Sequence, residues 1–273
     1  MSKMVRAISD MGGVVISAID STDIVKRMEE IHKTSAVVSA ALGRMLTASQ
    51  LMASTLKSAS DTITLRIKAD GPIGLITVAC DGRGHCKGYV ENNVVEIPLR
   101  RDGKLDVGSA VGRNGQLYVV KDIGMKEPYV GSIPLESGEI AEDITAYYAY
   151  SEQIPTVCAL GVLVNPDLSI KCAGGYLLQL LPGATEEEIS LVESNIKNIP
   201  SITNFFESGH DVYDIINTVM DGFNPSILDE TDVKYQCDCS RERVKKALIS
   251  IGIKDLEMLR DEEDQIEIGC QYC

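Results

Sequence analysis

The end of the chain carries four of its eight cysteines in two close pairs, Cys237-Asp-Cys239 and Cys270-Gln-Tyr-Cys273. Each pair can present two thiolates to one point, and four thiolates are a complete tetrahedral ligand set for structural Zn²⁺. About forty residues are also too few to form a stable hydrophobic core without a metal or a disulfide. The sequence therefore predicts a small C-terminal domain, residues 231–273, that folds around one zinc ion held by Cys237, Cys239, Cys270 and Cys273.

Two other uses of these cysteines remain open at the level of sequence. One is a pair of permanent disulfides, although the chain begins without an apolar signal core and the cytosol keeps thiols reduced. The other is a dithiol/disulfide oxidoreductase that uses Cys270 and Cys273. Such a pair normally opens a helix after a strand, whereas Cys273 is the last residue of this sequence. Structural zinc is therefore the preferred interpretation.

Basic residues surround the first pair, among them Lys234, Arg241 and Arg243. Nearby positive charge favours thiolate over thiol, and thiolates are the form that oxidants attack. Oxidation of either pair to a disulfide would remove two ligands from the metal. Because metal binding contributes about 10–16 kcal/mol to the folding of such small domains, its loss would unfold the C-terminal domain. The pattern thus predicts a redox switch.

Between the two cysteine pairs the pattern predicts two helices and a strand. Ser240 caps the first helix, and Gly252 ends it. A second short helix carries Leu256 and Leu259. Residues 265–268 alternate in the manner of a short strand that leads into the second pair.

Residues 1–180 are predicted to form a large N-terminal domain of mixed helices and strands. Alternating apolar residues predict one hairpin over residues 4–19 and a second over residues 62–80, with glycine in both turns. Further strands are predicted at 87–90, 117–121, 129–135, 157–164 and 169–180, and helices at 22–32, 35–57 and 140–150. Runs of strands with only a few long helices are typical of an α+β fold.

Residues 181–230 are predicted to be a helical linker. Thr185 and Glu188 form a capping box, and Ser201 and Asp211 each precede a further short helix. Nine apolar residues of the segment from Ser201 to Phe223 are singled out: Ile202, Phe205, Phe206, Val212, Ile215, Ile216, Val219, Met220 and Phe223. They either complete the core of the N-terminal domain or form a surface that is released when the tail unfolds. In the second case they are candidate binding sites for unfolded proteins.

Several classes of function are disfavoured by the sequence. A net charge of −14 opposes nucleic-acid binding, since phosphate contacts need a basic face. The glycine-rich segments lack the spacing of nucleotide-binding loops, and no catalytic constellation is evident, so we expect that the chain is not an enzyme. The sequence has no uninterrupted apolar span of about 20 residues, so we expect no membrane helix. The expected location is the cytoplasm.

Several longer motifs, together with the two cysteine pairs, resemble the family of redox-regulated heat-shock chaperones known as heat shock protein 33. The motifs lie at residues 41–48 (ALGRMLTA), 68–74 (KADGPIG), 121–129 (KDIGMKEPY), 138–143 (GEIAED), 151–153 (SEQ) and 174–184 (GGYLLQLLPGA). The resemblance spans essentially the whole chain, and Cys-X-Cys followed at this distance by Cys-X-X-Cys is the family's own arrangement. Family members usually continue past the last cysteine, so we expect Cys273 to fray in this chain.

The resemblance implies an ATP-independent holdase whose reduced, zinc-bound form is inactive. It also implies that oxidation joins Cys237 to Cys239 and Cys270 to Cys273, ejects zinc, and unfolds the tail and the linker. The active form is then expected to be a homodimer that binds unfolding client proteins and prevents their aggregation.

Overall fold

The structure is a computed structural model that describes residues 2–197, 199–262 and 267–273. It contains two compact units, of which the first extends to Tyr235 and the second covers Gln236–Cys273. Helices and mostly antiparallel strands mix in the first unit, so the predicted α+β class is confirmed. The predicted helical linker lies within the first unit, and the division of the chain into three functional parts stays a prediction.

All of the strands that the described residues form lie in the first unit. In chain order these strands are β1 (Lys3–Ile8), β2 (Val14–Asp20), β3 (Thr62–Ala69), β4 (Leu75–Asp81), β5 (His85–Val90), β6 (Gly115–Asp122), β7 (Tyr129–Pro134), β8 (Thr156–Val164), β9 (Ile170–Leu180), β10 (Ser226–Asp232) and β11 (Lys234–Tyr235). Its helices are α1 (Thr22–His32), α2 (Ala36–Ala53), α3 (Val107–Val111), α4 (Ala141–Tyr147), α5 (Glu186–Ile196), α6 (Ile202–Glu207) and α7 (Val212–Val219), with a π-helical turn at Tyr148–Glu152. The elements predicted for residues 1–180 are found with small shifts at their ends.

The strands pair into two sheets. A five-stranded antiparallel sheet has the order β10-β1-β2-β9-β8, and a six-stranded sheet has the order β11-β5-β4-β3-β6-β7. The hairpins β1–β2 and β3–β4 follow from alternating apolar residues on either side of glycine-containing turns. Gly12, in the first turn, has a φ of 77°, a left-handed conformation that glycine adopts without strain. The last strand, β11, is parallel to β5.

Helix α2 lies at the centre of the main hydrophobic core. Nearly all of its residues are buried, and they pack with residues from both sheets and with α1, α3 and α4. Gly43 permits close packing here, since a Cβ at this position would lie 2.8 Å from Val25 Cγ1. The helix is long and apolar enough to cross a membrane, but 89% of it is buried inside the fold, which is the position of a core helix.

Helices α5, α6 and α7 cover the opposite face of the five-stranded sheet and form a second core with β1, β2 and β9. Strands β1 and β2 supply both cores because successive side chains point to opposite faces of a sheet. Each of the three helices begins at a side-chain cap, as the sequence predicts: Thr185, Ser201 and Asp211 accept backbone N–H groups of the first turn.

Strand β10 is not predicted by the sequence, because its acidic and exposed residues lack strand periodicity. It is a strand because it lies along the edge of β1. Two ion pairs support this pairing: Lys3 Nζ lies 2.6 Å from Glu230 Oε2, and an Arg6 nitrogen lies 3.0 Å from Asp229 Oδ2. The end of the predicted linker is therefore part of the five-stranded sheet. Helix α3 is likewise missed, because its five residues are too few to show a helical period.

The second unit contains α8 (Arg241–Ile251) and α9 (Ile253–Glu262). The predicted cap of α8 is confirmed, since Ser240 Oγ accepts the backbone N–H of Arg243 at 3.2 Å. Gly252 separates the two helices and has a φ of 102°. The strand predicted at 265–268 lies partly outside the described residues, and the described part is not a strand.

Candidate metal centre

The four cysteines of the predicted zinc site come together in the second unit. Their Sγ atoms all lie within 4.8 Å of one another. Cys239 Sγ lies 3.2 Å from Cys273 Sγ, Cys237 Sγ lies 3.6 Å from Cys270 Sγ, and all four cysteines are free thiols. In a tetrahedral site with Zn–S bonds of about 2.3 Å, the sulfur atoms are about 3.8 Å apart. The spacing of the four sulfurs therefore fits one metal ion, and the fraying of Cys273 stays a prediction.

Local contacts position the first pair. Asp238, the residue between the two cysteines, forms an ion pair with Arg243 in the first turn of α8. Ser240, directly after Cys239, caps the same helix. The start of α8 thereby bends the Cys-X-Cys segment, as two thiols separated by one residue must bend to reach one point.

None of the described residues of the second unit is buried. Val244 and Leu248, in the apolar stripe of α8, are half-buried, whereas Ile249 and Ile253 are 73% and 75% exposed. A unit of this size without buried apolar side chains has no hydrophobic core to stabilise it. The thiol cluster is therefore the group through which a bound metal would hold the unit together.

The crowded thiols perturb one another's ionisation. Burial raises the pKa of Cys237, and a hydrogen bond to Cys239 raises the pKa of Cys273 far above its ordinary value. Burial opposes ionisation of Cys270 as well, but hydrogen bonds from the backbone of Tyr272 and from Cys237 lower the pKa of that thiol. Four thiolates at this separation repel one another unless a cation compensates their charge. The all-sulfur donor set suits a soft divalent ion such as Zn²⁺.

The chain that leads into the first cysteine pair is anchored in the first unit. Val233 is 3% exposed and belongs to the main core. The hydroxyl of Tyr235 donates to Gly88 O at 3.0 Å and lies 3.1 Å from His32 Nε2. Only Gln236 separates Tyr235 from Cys237. The sequence does not predict this anchor, because two apolar residues in a short polar segment are too few to establish a period. The alternation of Val233 and Tyr235 is the only feature of the sequence that hints at a strand here.

The nine apolar residues predicted as a candidate client-binding surface are covered in this structure. Eight of them are 6% exposed or less, and Phe206 is half-buried. They pack on the five-stranded sheet as the second core. The structure therefore shows the arrangement in which the linker helices complete the core. Binding of unfolded proteins at these residues stays a prediction.

Comparison with known proteins assigns the chain to a family. The family model described as Hsp33 protein matches residues 2–273. The chain is 46% identical over 272 residues to the 33 kDa chaperonin of Clostridium acetobutylicum. The aligned region covers 99% of this chain and 92% of the relative. Identity to the 33 kDa chaperonin of Clostridioides difficile is also 46%, over 270 residues, with the same coverage. The crystal structure of the 33 kDa chaperonin (heat shock protein 33 homolog) from Thermotoga maritima matches with a TM-score of 0.90 at 36% identity, over 99% of this chain and 92% of that chain.

Fold, thiol cluster and relatives together define a protein of the chaperone class with a candidate metal centre in a separate C-terminal unit. The chain belongs to the Hsp33 family. The resemblance found in the sequence motifs is thereby confirmed.

Proposed function

We propose that this chaperone is a redox-regulated, ATP-independent holdase whose C-terminal unit is a zinc-centred switch. In the reduced form, Cys237, Cys239, Cys270 and Cys273 hold one Zn²⁺, and the protein is inactive because its apolar linker is covered. The observation that carries the proposal is the contrast within one unit. No described residue of that unit is buried, yet four thiols lie within 4.8 Å of one another.

Oxidation converts each pair of thiols into a disulfide. With hydrogen peroxide as oxidant, one thiol becomes a sulfenic acid and releases one water. The second thiol attacks the sulfenic sulfur, the S–S bond forms, and a second water leaves. Two disulfides thus consume two molecules of peroxide. A disulfide sulfur is no longer a thiolate ligand, so the oxidised chain has lost the donors that bind the ion.

We propose Cys237–Cys239 and Cys270–Cys273 as the disulfides. Two short sulfur–sulfur distances in the structure join different pairs, so Cys237–Cys270 and Cys239–Cys273 are the competing products. Once the unit opens, however, cysteines separated by one or two residues meet more often than those separated by about thirty. We expect Cys270–Cys273 to form first, because a pair separated by a single residue must bend further to reach disulfide geometry.

Unfolding of the C-terminal unit would free the chain that precedes Cys237. Strands β11 and β10 would no longer be followed by a folded unit and would detach from their sheets. Helices α5, α6 and α7 would then detach as well. Burial of a large apolar side chain contributes about 1.5–3 kcal/mol, so release of these helices uncovers strongly apolar surface on both the linker and the sheet. Such a surface binds unfolded chains. We propose that the active form is a homodimer in the cytoplasm and that its cycle involves no nucleotide, nucleic acid or membrane.

The test compares the reduced, zinc-loaded protein with the same preparation after peroxide treatment. Released zinc, free thiols, binding of an apolar dye and light scattering of a thermally unfolding client are measured in parallel. We expect oxidation to release zinc, raise dye binding and suppress client aggregation, and we expect reductant with added zinc to reverse all three. An oxidised protein no better than the reduced one at preventing aggregation would refute the holdase function. Catalytic turnover of dithiol substrates would favour the oxidoreductase instead.

A further inference from the structure

A further pair of cysteines lies side by side in the body of the protein. Cys80 on β4 and Cys86 on β5 are direct partners across the antiparallel pair. Their side chains therefore point to the same face of the sheet, and they are 2% and 0% exposed. Directly opposed residues have Cα atoms about 4.5–5.5 Å apart, within the range of about 4.4–6.8 Å that a disulfide requires. The backbone thus already holds both thiols at a separation that a disulfide can bridge.

The two thiols are linked to β11 by a buried amide. Gln50, on α2, accepts a hydrogen bond from Cys80 Sγ at 3.3 Å and donates through Nε2 to Gly84 O at 2.9 Å. The same carbonyl, in the β4–β5 turn, accepts the backbone N–H of Lys234 at 3.0 Å. Dithiol, helix α2 and strand β11 therefore share one hydrogen-bonded network.

Strand β11 closes the edge of the sheet beside Cys86. Tyr235 is in register with Cys86, so its ring lies on the same face of the sheet. Its hydroxyl is held by the backbone of Gly88 and by His32. The side chain of Val233 packs against the β4–β5 turn, since a Cβ on Gly84 would lie 2.9 Å from Val233 Cγ1. With β11 in place, neither thiol is accessible.

Burial also suppresses the ionisation of both thiols. It raises the pKa of Cys86 to about 12 and the pKa of Cys80 well above its ordinary value of 9.0. Almost no thiolate is present at neutral pH, and the thiolate is the form that reacts with oxidants. Burial therefore makes the pair inert in the closed structure in two ways, by denying access to oxidants and by keeping the thiols uncharged.

We propose that Cys80 and Cys86 are a second redox centre, which β11 protects while it is in place and which is oxidised to a disulfide when β11 detaches. The inference rests on the proposed function, because β11 ends two residues before Cys237 and would be released when the C-terminal unit unfolds. With hydrogen peroxide, one thiol becomes a sulfenic acid and releases water. The other thiol then forms the S–S bond and releases a second water, so two thiols are oxidised and one peroxide is reduced.

This disulfide would delay the return to the closed form. Cys80 would no longer donate to Gln50, which leaves a buried amide oxygen without its donor. Gln50 also holds Gly84, the acceptor for the backbone of β11. Docking of β11 is therefore expected to wait until a dithiol reductant has reopened Cys80–Cys86 as well as the C-terminal pairs.

The first experiment measures access without using the switch. The full-length, zinc-loaded, reduced protein is alkylated with iodoacetamide in the absence of denaturant, and peptide mass spectrometry follows Cys86. Tyr235→Ala is expected to react roughly tenfold faster than wild type or more, because the opening of β11 becomes less costly. Lys234→Ala, whose exposed side chain points to the other face, should react at the wild-type rate. If Tyr235→Ala folds poorly, Tyr235→Phe keeps the ring and should give an intermediate rate.

The second experiment follows the wild-type protein through peroxide treatment. Trypsin cleaves at Arg83 and Lys87, so Cys80 and Cys86 lie in different peptides and their disulfide appears as one linked species. We expect that species after zinc release and after the C-terminal disulfides. If the C-terminal disulfides form and zinc leaves while both body thiols stay free, the second redox centre is refuted and the proposed function stands. Equal alkylation of Tyr235→Ala and wild type also refutes it, whereas failure of the C-terminal disulfides to form refutes the proposed function.

Discussion

The two units of this protein are stabilised in opposite ways. The unit that ends at Tyr235 has two hydrophobic cores, one around α2 and one beneath α5, α6 and α7. The unit that begins at Gln236 has no buried residue among those described, and even the apolar stripe of α8 is at most half-buried. Its four thiols lie within 4.8 Å of one another and, in the proposed function, hold the metal ion that takes the place of a core. A domain held together by oxidisable atoms is expected to lose its structure when those atoms react, whereas the core packed around α2 is expected to stay folded.

The cysteines show the same contrast. In the first unit Cys86 is fully buried, and burial raises its pKa to about 12. In the second unit Cys239 and Cys273 are exposed. Cys86 is thus protected in the body whereas two thiols of the tail are accessible, and in the proposed mechanism the accessible thiols are the ones that sense oxidation.

Removal of the metal should have the largest effect, and the two units should respond to it differently. A chelator, or Cys270→Ser, is expected to unfold residues 236–273, because metal binding contributes about 10–16 kcal/mol to such domains. Hydrogen exchange should show loss of protection in α8 while α2 keeps its protection. Gln271→Ala, an exposed change between two ligands, is the matched control and should behave as wild type. Unchanged protection of α8 in the metal-free protein would contradict the account.

Truncation of an apolar side chain should matter in the body and not in the tail. Ile216, on α7, is 1% exposed, and Ile216→Ala is expected to cost about 2–5 kcal/mol of unfolding free energy, because it leaves a cavity in the second core. Ile249, on α8, is 73% exposed, and Ile249→Ala should change stability by less than about 0.5 kcal/mol. Urea denaturation of zinc-loaded protein compares the two. A large loss of stability in Ile249→Ala would show that the tail has a core.

Helix caps offer a finer version of the same comparison. Asp211 accepts backbone N–H groups at the start of α7, and Ser240 accepts one at the start of α8. Replacement of either by alanine is expected to cost about 1 kcal/mol. For Asp211→Ala the loss should appear in the unfolding transition of the first unit, whereas for Ser240→Ala it should appear as weaker zinc retention. Competition with a chromophoric chelator measures the second, and equal zinc affinity in both variants would contradict the separation of the two units.

The smallest effect is expected for the ion pair at the edge of the first unit. A hydrogen bond from Lys3 lowers the pKa of Glu230 below its ordinary value of 4.5. The ionised carboxylate therefore stabilises the pairing of β10 with β1 above pH 4.5, and this contribution is lost as the pH falls through the lowered pKa. Glu230→Gln should weaken hydrogen-exchange protection of β10 at neutral pH and match wild type in acid. A difference that persists in acid would show that charge is not its cause.

Sequence alone predicts the elements whose residues alternate or repeat over several turns. The hairpin β3–β4, the core helix α2 and the capped helix α5 are predicted for this reason. Strand β10 is missed because its acidic residues become a strand only by pairing with β1, which is more than 200 residues away in sequence. The four cysteines are predicted as a group because the close spacing within each pair is visible in the sequence and is typical of metal ligands. The anchor at Tyr235 is missed because its partners, Gly88 and His32, are brought to it by the tertiary fold.

The most direct test of the account is zinc content and disulfide mapping on one sample of full-length protein during peroxide treatment. The account predicts one zinc per chain in the reduced form and loss of that zinc in step with oxidation of Cys237, Cys239, Cys270 and Cys273. Reduced protein that lacks metal and still protects α8 from hydrogen exchange would contradict it, and so would oxidised protein that retains its zinc.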